Sequence, residues 1–365
     1  MDIKFKLKTY NYNEECCGNE GEFCPCPEER AAIQYGIAAS VVHAVHADYL
    51  SLGDPTAEEL SRSPVAMAVR VGIEQAAIVC VNVFVLISGW FGIRPAWRGF
   101  LNLMYQLLFC GVLVLLFFLC SGRPVPGILI EESLYVGLSW WFALAYIGLY
   151  VLAPLLNAFV ESVTRRQLRN FLIAFFVWEF FYGWVKNVSG FNNGYSVLSF
   201  IGLYLLARYV RMYLGNWSGK RGCVYAGGYA VSTLVSAWLS LGALALGKPS
   251  IVARFTAYNS PFVIFGSLCL LLLFSRLDFR SKAVNWLAVS CFSIYLYHCH
   301  PLVLPHFTSF FSGLYERFGG AWYLLLAPCC LLAVGMACIL ADRLRLLTWN
   351  RLWPWLQRSI PALRK

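Results

Sequence analysis

The chain has 365 residues, 59% of them hydrophobic and 13% charged, with a mean hydropathy of +0.62. A soluble domain carries about 25% charge, so this composition excludes one and makes lipid part of the solvent. The net charge of +10 comes from basic residues spread singly or in twos and threes, a pattern that argues for membrane-flanking loops and against a nucleic-acid partner.

Apolar runs cut by Gly, Pro and charged turns predict an all-α fold, a polytopic transmembrane bundle of about ten helices. Residues 1–30 read as a polar, unstructured cytoplasmic tail. Its Cys16, Cys17, Cys24 and Cys26 lack paired C-x-x-C spacing and a nearby His, so no metal site is expected. Without an apolar h-region near the start, the first membrane helix must do the targeting. The predicted helices cover 31–50, 74–93, 99–120, 134–160, 170–186, 195–214, 224–247, 258–275, 284–304 and 320–342. Residues 31–345 thus form one transmembrane domain, followed by a basic cytoplasmic tail over 346–365. The long polar loop 51–73 is expected to form a short external helix or lid.

Orientation follows from Lys and Arg. With the N-terminus inside, each inside segment carries at least two basic residues, such as Arg94 and Arg98 or Arg165, Arg166 and Arg169. No outside loop exceeds two, as in the loops with Arg62 and Arg70 and with Lys248 and Arg254. The positive-inside rule then places both termini in the cytoplasm.

Polar residues in or beside spans are costly and are therefore functional candidates. His43 and His46 share one face at the end of the first helix, ahead of Asp48 and Tyr49. The run Val81-Asn82 through Ser88-Gly89-Trp90 closes with Arg94 and Arg98. Two guanidiniums a turn apart suit a phosphate-bearing donor, or simply anchor the inner surface. Ser290, Ser293, Tyr295, Tyr297, His298 and His300, ahead of Pro301, point to a helix lining a polar cavity. Arg208 and Arg211 either snorkel to the interface or line a donor site. No P-loop, HExxH, GxSxG or DNA-binding motif occurs.

Four stretches, taken together and in order, carry a resemblance. They are His46-Ala-Asp-Tyr, the run from Val81 to Gly92, the run from Trp141 to Pro154, and Ser293-Ile-Tyr-Leu-Tyr-His298. The chain resembles acyltransferase family 3, bacterial inner-membrane proteins that O-acylate surface glycans, and two of the runs look like its branch in gut Bacteroidetes. The resemblance implies a multi-pass enzyme of the bacterial inner membrane with acyl-CoA, commonly acetyl-CoA, as donor and no tightly bound cofactor. The implied acceptor is a glycan hydroxyl, usually on the outer side. It implies His46 as the catalytic residue and Arg94 and Arg98 near the CoA phosphates, with Arg208 and Arg211 as further donor-site candidates. The substrate-contact candidates are Asp48, Glu74, Asn82, Ser88, Trp141, Tyr146, Tyr150, Ser293, Tyr295 and His298. Two positions depart from the family. Arg94 and Arg98 are spaced R-x-x-x-R rather than R-x-x-R, and Tyr35 stands where the family carries an Arg ahead of its His. A translocator that forms no ester and an inactive divergent paralogue are the alternative readings. The oligomeric state, a homodimer included, stays open.

Overall fold

A computed structural model describes residues 46–94, 96–134, 140–214, 222–276 and 281–364. The Cys cluster, Tyr35, His43 and the first predicted helix up to residue 45 lie outside the described residues, as does the His46 side chain. Among the described residues every regular element is helical.

After a π-helical turn at His46–Leu50, the chain forms α1 (Ala57–Arg62), opened by a capping box between Thr56 and Glu59. Next comes α2 (Pro64–Phe91), which has Pro64 in its first turn and ends at Gly92, whose φ of 76° only glycine adopts freely. The predicted loop 51–73 is therefore largely helical, and the helix expected to start at 74 starts ten residues earlier. Pro64 sets the start, because proline suits the first helical position.

The remaining helices are α3 (Trp97–Cys120), α4 (Gly127–Leu134), α5 (Trp141–Ser162), α6 (Arg165–Trp178), α7 (Val197–Tyr213) and α8 (Gly222–Ala245). They continue as α9 (Pro249–Phe255), α10 (Pro261–Phe274), α11 (Lys282–Ala288), α12 (Cys291–His298) and α13 (Leu304–Ser359). A capping box between Thr164 and Gln167 starts α6, which continues as a π-helical turn over Glu179–Val185. The helix expected over 284–304 is split into α11 and α12, with Ser290 between them and Cys299 ending the second. The predicted helix 320–342 is only the middle of α13, whose 56 residues span about 84 Å at 1.5 Å per residue. Residues 346–359, expected in a tail, continue α13; Trp349 and Trp353 are buried with Leu363 against Leu101 and Tyr105.

Among the described residues five helices are long and apolar enough to cross a membrane: α2, α3, α5, α8 and the Leu325–Ser359 part of α13. In α2 72% of the apolar window is buried, against 28–39% in the other four, so α2 is the central helix and the others turn one face outward. Its apolar side meets α5, α7 and α10 in one core built on Val83, Leu86, Leu149, Tyr204 and Leu271.

Close packing of α2 on α7 depends on Gly89. A Cβ there would lie 2.5 Å from the Tyr204 carbonyl oxygen and 2.9 Å from its Cα. Small residues serve this purpose in membrane bundles. Gly89→Val is expected to cost about 1–3 kcal/mol through overpacking against backbone. Gly242→Ala on α8, where nothing lies within 4 Å, is expected to be neutral or mildly stabilising through helix propensity. Thermal unfolding in detergent checks both; equal behaviour of the two variants would refute the packing argument.

Candidate active site

Helices α2, α5 and α7 run in the same sense and hold a polar and aromatic column between two chemically different ends.

Four arginines surround one end. Where α2 stops, the Ile93 amide donates to Tyr204 Oη at 3.0 Å, Tyr204 Oη donates to Asn157 Oδ1 at 2.7 Å, and Asn157 Nδ2 donates to the Ile93 carbonyl at 2.9 Å. This closed triangle locks the three helices together. Arg208 lies along Gly92, where a Cβ would sit 2.9 Å from its Nη1. Arg211 packs over Trp90 at 5.1 Å and Phe91 at 5.6 Å. Arg94 and Arg98 are exposed on the segment that follows, and Arg98 lies over Trp353 at 5.9 Å. Tyr150 Oη bonds both backbone groups of Ala96, accepting from the amide at 3.2 Å and donating to the carbonyl at 3.0 Å. Tyr150 therefore shapes the arginine-bearing segment. The glycines allow cations on two helices and a loop to gather without clash, forming a site suited to phosphate groups.

Along the column, Ser88 Oγ and Tyr146 Oη are 3.0 Å apart, Tyr146 stacks on Phe142 at 5.9 Å, and Phe142 meets Tyr295 edge-on at 5.9 Å. Asn82 is fully buried and donates to the Tyr258 carbonyl at 2.7 Å. Trp141 stacks on Tyr258 at 5.5 Å and lies 4.3 Å from Tyr195.

Acids gather at the far end. Arg70 Nε donates to Asp48 Oδ2 at 3.2 Å, its Nη2 bonds the Gly53 carbonyl, and Glu59 lies 4.0 Å from Nη1. Glu74, one turn along α2 from Arg70, is 6% exposed and close enough to Asp48 and Asp54 to interact with their charge. The backbone of the turn that His46 opens is anchored from both sides: Arg70 holds Asp48, and Tyr323 Oη donates to the Ala47 carbonyl at 2.9 Å. His298 is buried, with its Nδ1 against the Ile294 carbonyl and its ring 5.2 Å from Phe307. Phe307 packs in the same cluster as Ala47, so His298 and the His46 turn adjoin one apolar cluster.

Ser293 sits apart from this column. It donates to Asp342 Oδ1 at 2.6 Å and accepts from Gln106 Nε2 at 2.8 Å. Arg345 binds both Asp342 oxygens and reaches Asn102 at 3.0 Å, which ties α3, α12 and α13 together. Asn157, Tyr204, Arg70, Gln106, Asp342 and Arg345 are residues that sequence reasoning passed over. All but Arg70 and Arg345 carry one available signal, a polar group inside an apolar helix; Arg70 and Arg345 counted only as flanking charges. Among the described residues no group of three or more His, Cys, Asp or Glu is arranged to hold a metal ion.

No curated protein and no solved structure matches the chain. A family model described as an acyltransferase domain, acyltransferase family 3, matches residues 36–342. That stretch runs from before the His46 turn to Asp342 and contains both ends of the column. With long apolar helices and a cation-lined end facing away from an acidic one, this chain belongs to acyltransferase family 3 and is a membrane acyltransferase.

Proposed function

We propose that this protein moves an acyl group, most simply acetyl, from cytoplasmic acyl-CoA to a hydroxyl of a surface or lipid-linked glycan. It does so as a multi-pass protein of the bacterial inner membrane, with about ten crossings and both termini in the cytoplasm. The observation that carries this reading is the two-ended column. Arg94, Arg98, Arg208 and Arg211 gather at the end that the positive-inside rule assigns to the cytoplasm, and Asp48, Glu74 and the His46 turn lie at the other. The arginines neutralise the CoA phosphates. The acyl thioester extends along Tyr146, Ser88 and Tyr295 towards His46. His46 accepts the proton of the glycan hydroxyl as its oxygen attacks the thioester carbonyl. The carbon–sulfur bond then breaks, and the CoA thiolate leaves and is protonated. Asp48, Glu74, Asn82, Trp141 and His298 face the acceptor in this scheme.

Labelled acetyl-CoA supplied to the cytoplasmic side of vesicles from the producing cells tests the reading. Label is expected as an alkali-labile ester on glycan. Transport of label across the membrane with no ester formed would overturn the reading and favour a translocator. Arg208→Ala is expected to raise the KM for acetyl-CoA by roughly ten- to hundredfold with little change in acceptor KM, as for losing a hydrogen bond to a charged group. Arg208→Lys is expected to recover only part of that, because an ammonium cannot bind phosphate in bidentate fashion. Initial rates over a range of acetyl-CoA concentrations measure both.

A further inference from the structure

The segment from His46 to Glu74 carries five acids, Asp48, Asp54, Glu58, Glu59 and Glu74, against two arginines. Both arginines are committed. Arg62 pairs with Glu58 at 2.8 Å on the exposed helix α1. Arg70 is held by Asp48, the Gly53 carbonyl and Glu59, and its side chain is only 13% exposed. Asp54 and Glu74 are left without a cation of their own among the described residues.

Glu74 is the member that calls for a cause. More than nine-tenths of it is buried, yet it makes no hydrogen bond or ion pair among the described residues. It follows Arg70 by four residues on α2, so the two share a helix face. That face meets the His46 turn through the bond from Arg70 to Asp48. Glu74 feels the charge of Asp48 and Asp54, and Tyr49 and Tyr195 feel its own. Asp48 and Tyr49 belong to the same five-residue turn as His46. The cluster opens outward, since Asp54 is exposed and the Asp48 side chain is 21% exposed.

A buried carboxyl that no donor meets is costly, and an apolar residue would fill its place at lower cost. A ligand that brings the missing donor removes that cost. The acids are not grouped to share a metal ion among the described residues, so the fitting donor is an O–H or N–H. An anionic ligand is disfavoured twice. It would meet Asp54 and Glu74 uncompensated, and it could reach Arg70 only by displacing Asp48 or Glu59. Like charges set against each other are a common source of discrimination between partners.

We propose that Glu74, with Asp48 and Asp54 beside it, determines the charge class of the acceptor. Glu74 accepts a hydrogen bond from a neutral or amine-bearing sugar at the His46 turn, and the cluster turns away sugars that carry carboxylate or phosphate groups. This rests on the acyl-transfer reading above and deepens it, because that reading leaves the charge of the acceptor open.

Vesicles from the producing cells are supplied with labelled acetyl-CoA, and mass spectrometry of the labelled glycan identifies the sugar that carries the ester. A sugar without carboxylate or phosphate is expected. An ester on a uronic acid or a phosphorylated sugar would overturn the proposal. Glu74→Gln keeps the shape of the side chain and removes its charge. It is expected to raise the KM for that glycan about tenfold or more, the loss of roughly one hydrogen bond to a charged group, with the KM for acetyl-CoA unchanged. The unfolding midpoint in detergent is expected to stay level or rise, since the variant removes an unpaired buried carboxyl; a role in the fold alone would lower it. A wild-type KM for the glycan in Glu74→Gln would equally refute the assignment. Failure of the acyl-transfer reading would look different: wild-type vesicles would then place no acetyl label on any sugar.

Discussion

His46→Ala is expected to lower acyl transfer by about 10²- to 10⁴-fold, the usual contribution of a positioned general base. The variant should fold normally, because the turn is held by its backbone and by Asp48. Tyr323 bonds the Ala47 carbonyl, and Arg70 holds Asp48 and the Gly53 carbonyl. Donor affinity should also be unchanged, because Arg208 and Arg211 pack at the opposite end of α2, against Gly92 and Trp90. A fall in turnover with constant KM for acetyl-CoA and a constant unfolding midpoint is therefore the diagnostic result. Turnover within about threefold of the wild type would remove His46 from the mechanism, since a general base contributes far more than that. His46→Gln should not rescue, because an amide does not accept a proton near neutral pH.

The largest expected stability effect lies away from the chemistry. Asp342 and Arg345 are 1% and 2% exposed and form a bidentate pair inside α13. Ser293 on α12 donates to Asp342, and Asn102 on α3 accepts from Arg345. Asp342→Ala would strand a buried guanidinium and is expected to cost about 3–5 kcal/mol. The double variant Asp342→Leu with Arg345→Met is expected to be more stable than Asp342→Ala alone, because replacing a buried pair by apolar side chains removes two desolvation costs together. Unfolding in detergent distinguishes these outcomes. If the double variant were the less stable, the network would be contributing net stabilisation beyond charge compensation. Because α12 also carries His298, Asp342→Ala should lower activity even at temperatures where the protein is still folded.

The lipid-embedded class was legible from composition alone, because 13% charge cannot cover a soluble surface of this size. The helices at 97–120 and 222–245 were legible to within a few residues for the same reason: long apolar runs flanked by charge or glycine leave the backbone no other way to satisfy its hydrogen bonds in lipid. Other boundaries were not legible. Pro64 opens α2 earlier than hydropathy suggests, since the amphipathic turns ahead of Glu74 bury Met67 and Val71 against α8. The length of α13 was hidden because residues 346–365 read as a basic tail, yet Trp349 and Trp353 are buried against α3.

The candidate site divides the same way. Asn82, Ser88, Arg94, Arg98, His46 and His298 were readable because a polar group in a span is costly and so carries meaning by itself. Which of them meet was not readable. Ser293 and Tyr295 are two residues apart on α12, yet Ser293 joins Asp342 while Tyr295 faces Phe142 in the column. Arg70 looked like a loop charge until the fold brought it to Asp48, and Asn157 had no visible role until α5 placed it between Ile93 and Tyr204. By itself the sequence determined that this is an all-helical membrane protein with arginines near one end of its second apolar run and histidines in two others. Only the tertiary structure decided that arginines from the loop after α2, from α3 and from α7 gather at one end while acids gather at the other. The reason is physical: a helix face is set by local periodicity, but the partner it meets depends on glycines that admit a neighbour and on buried polar groups that must find one.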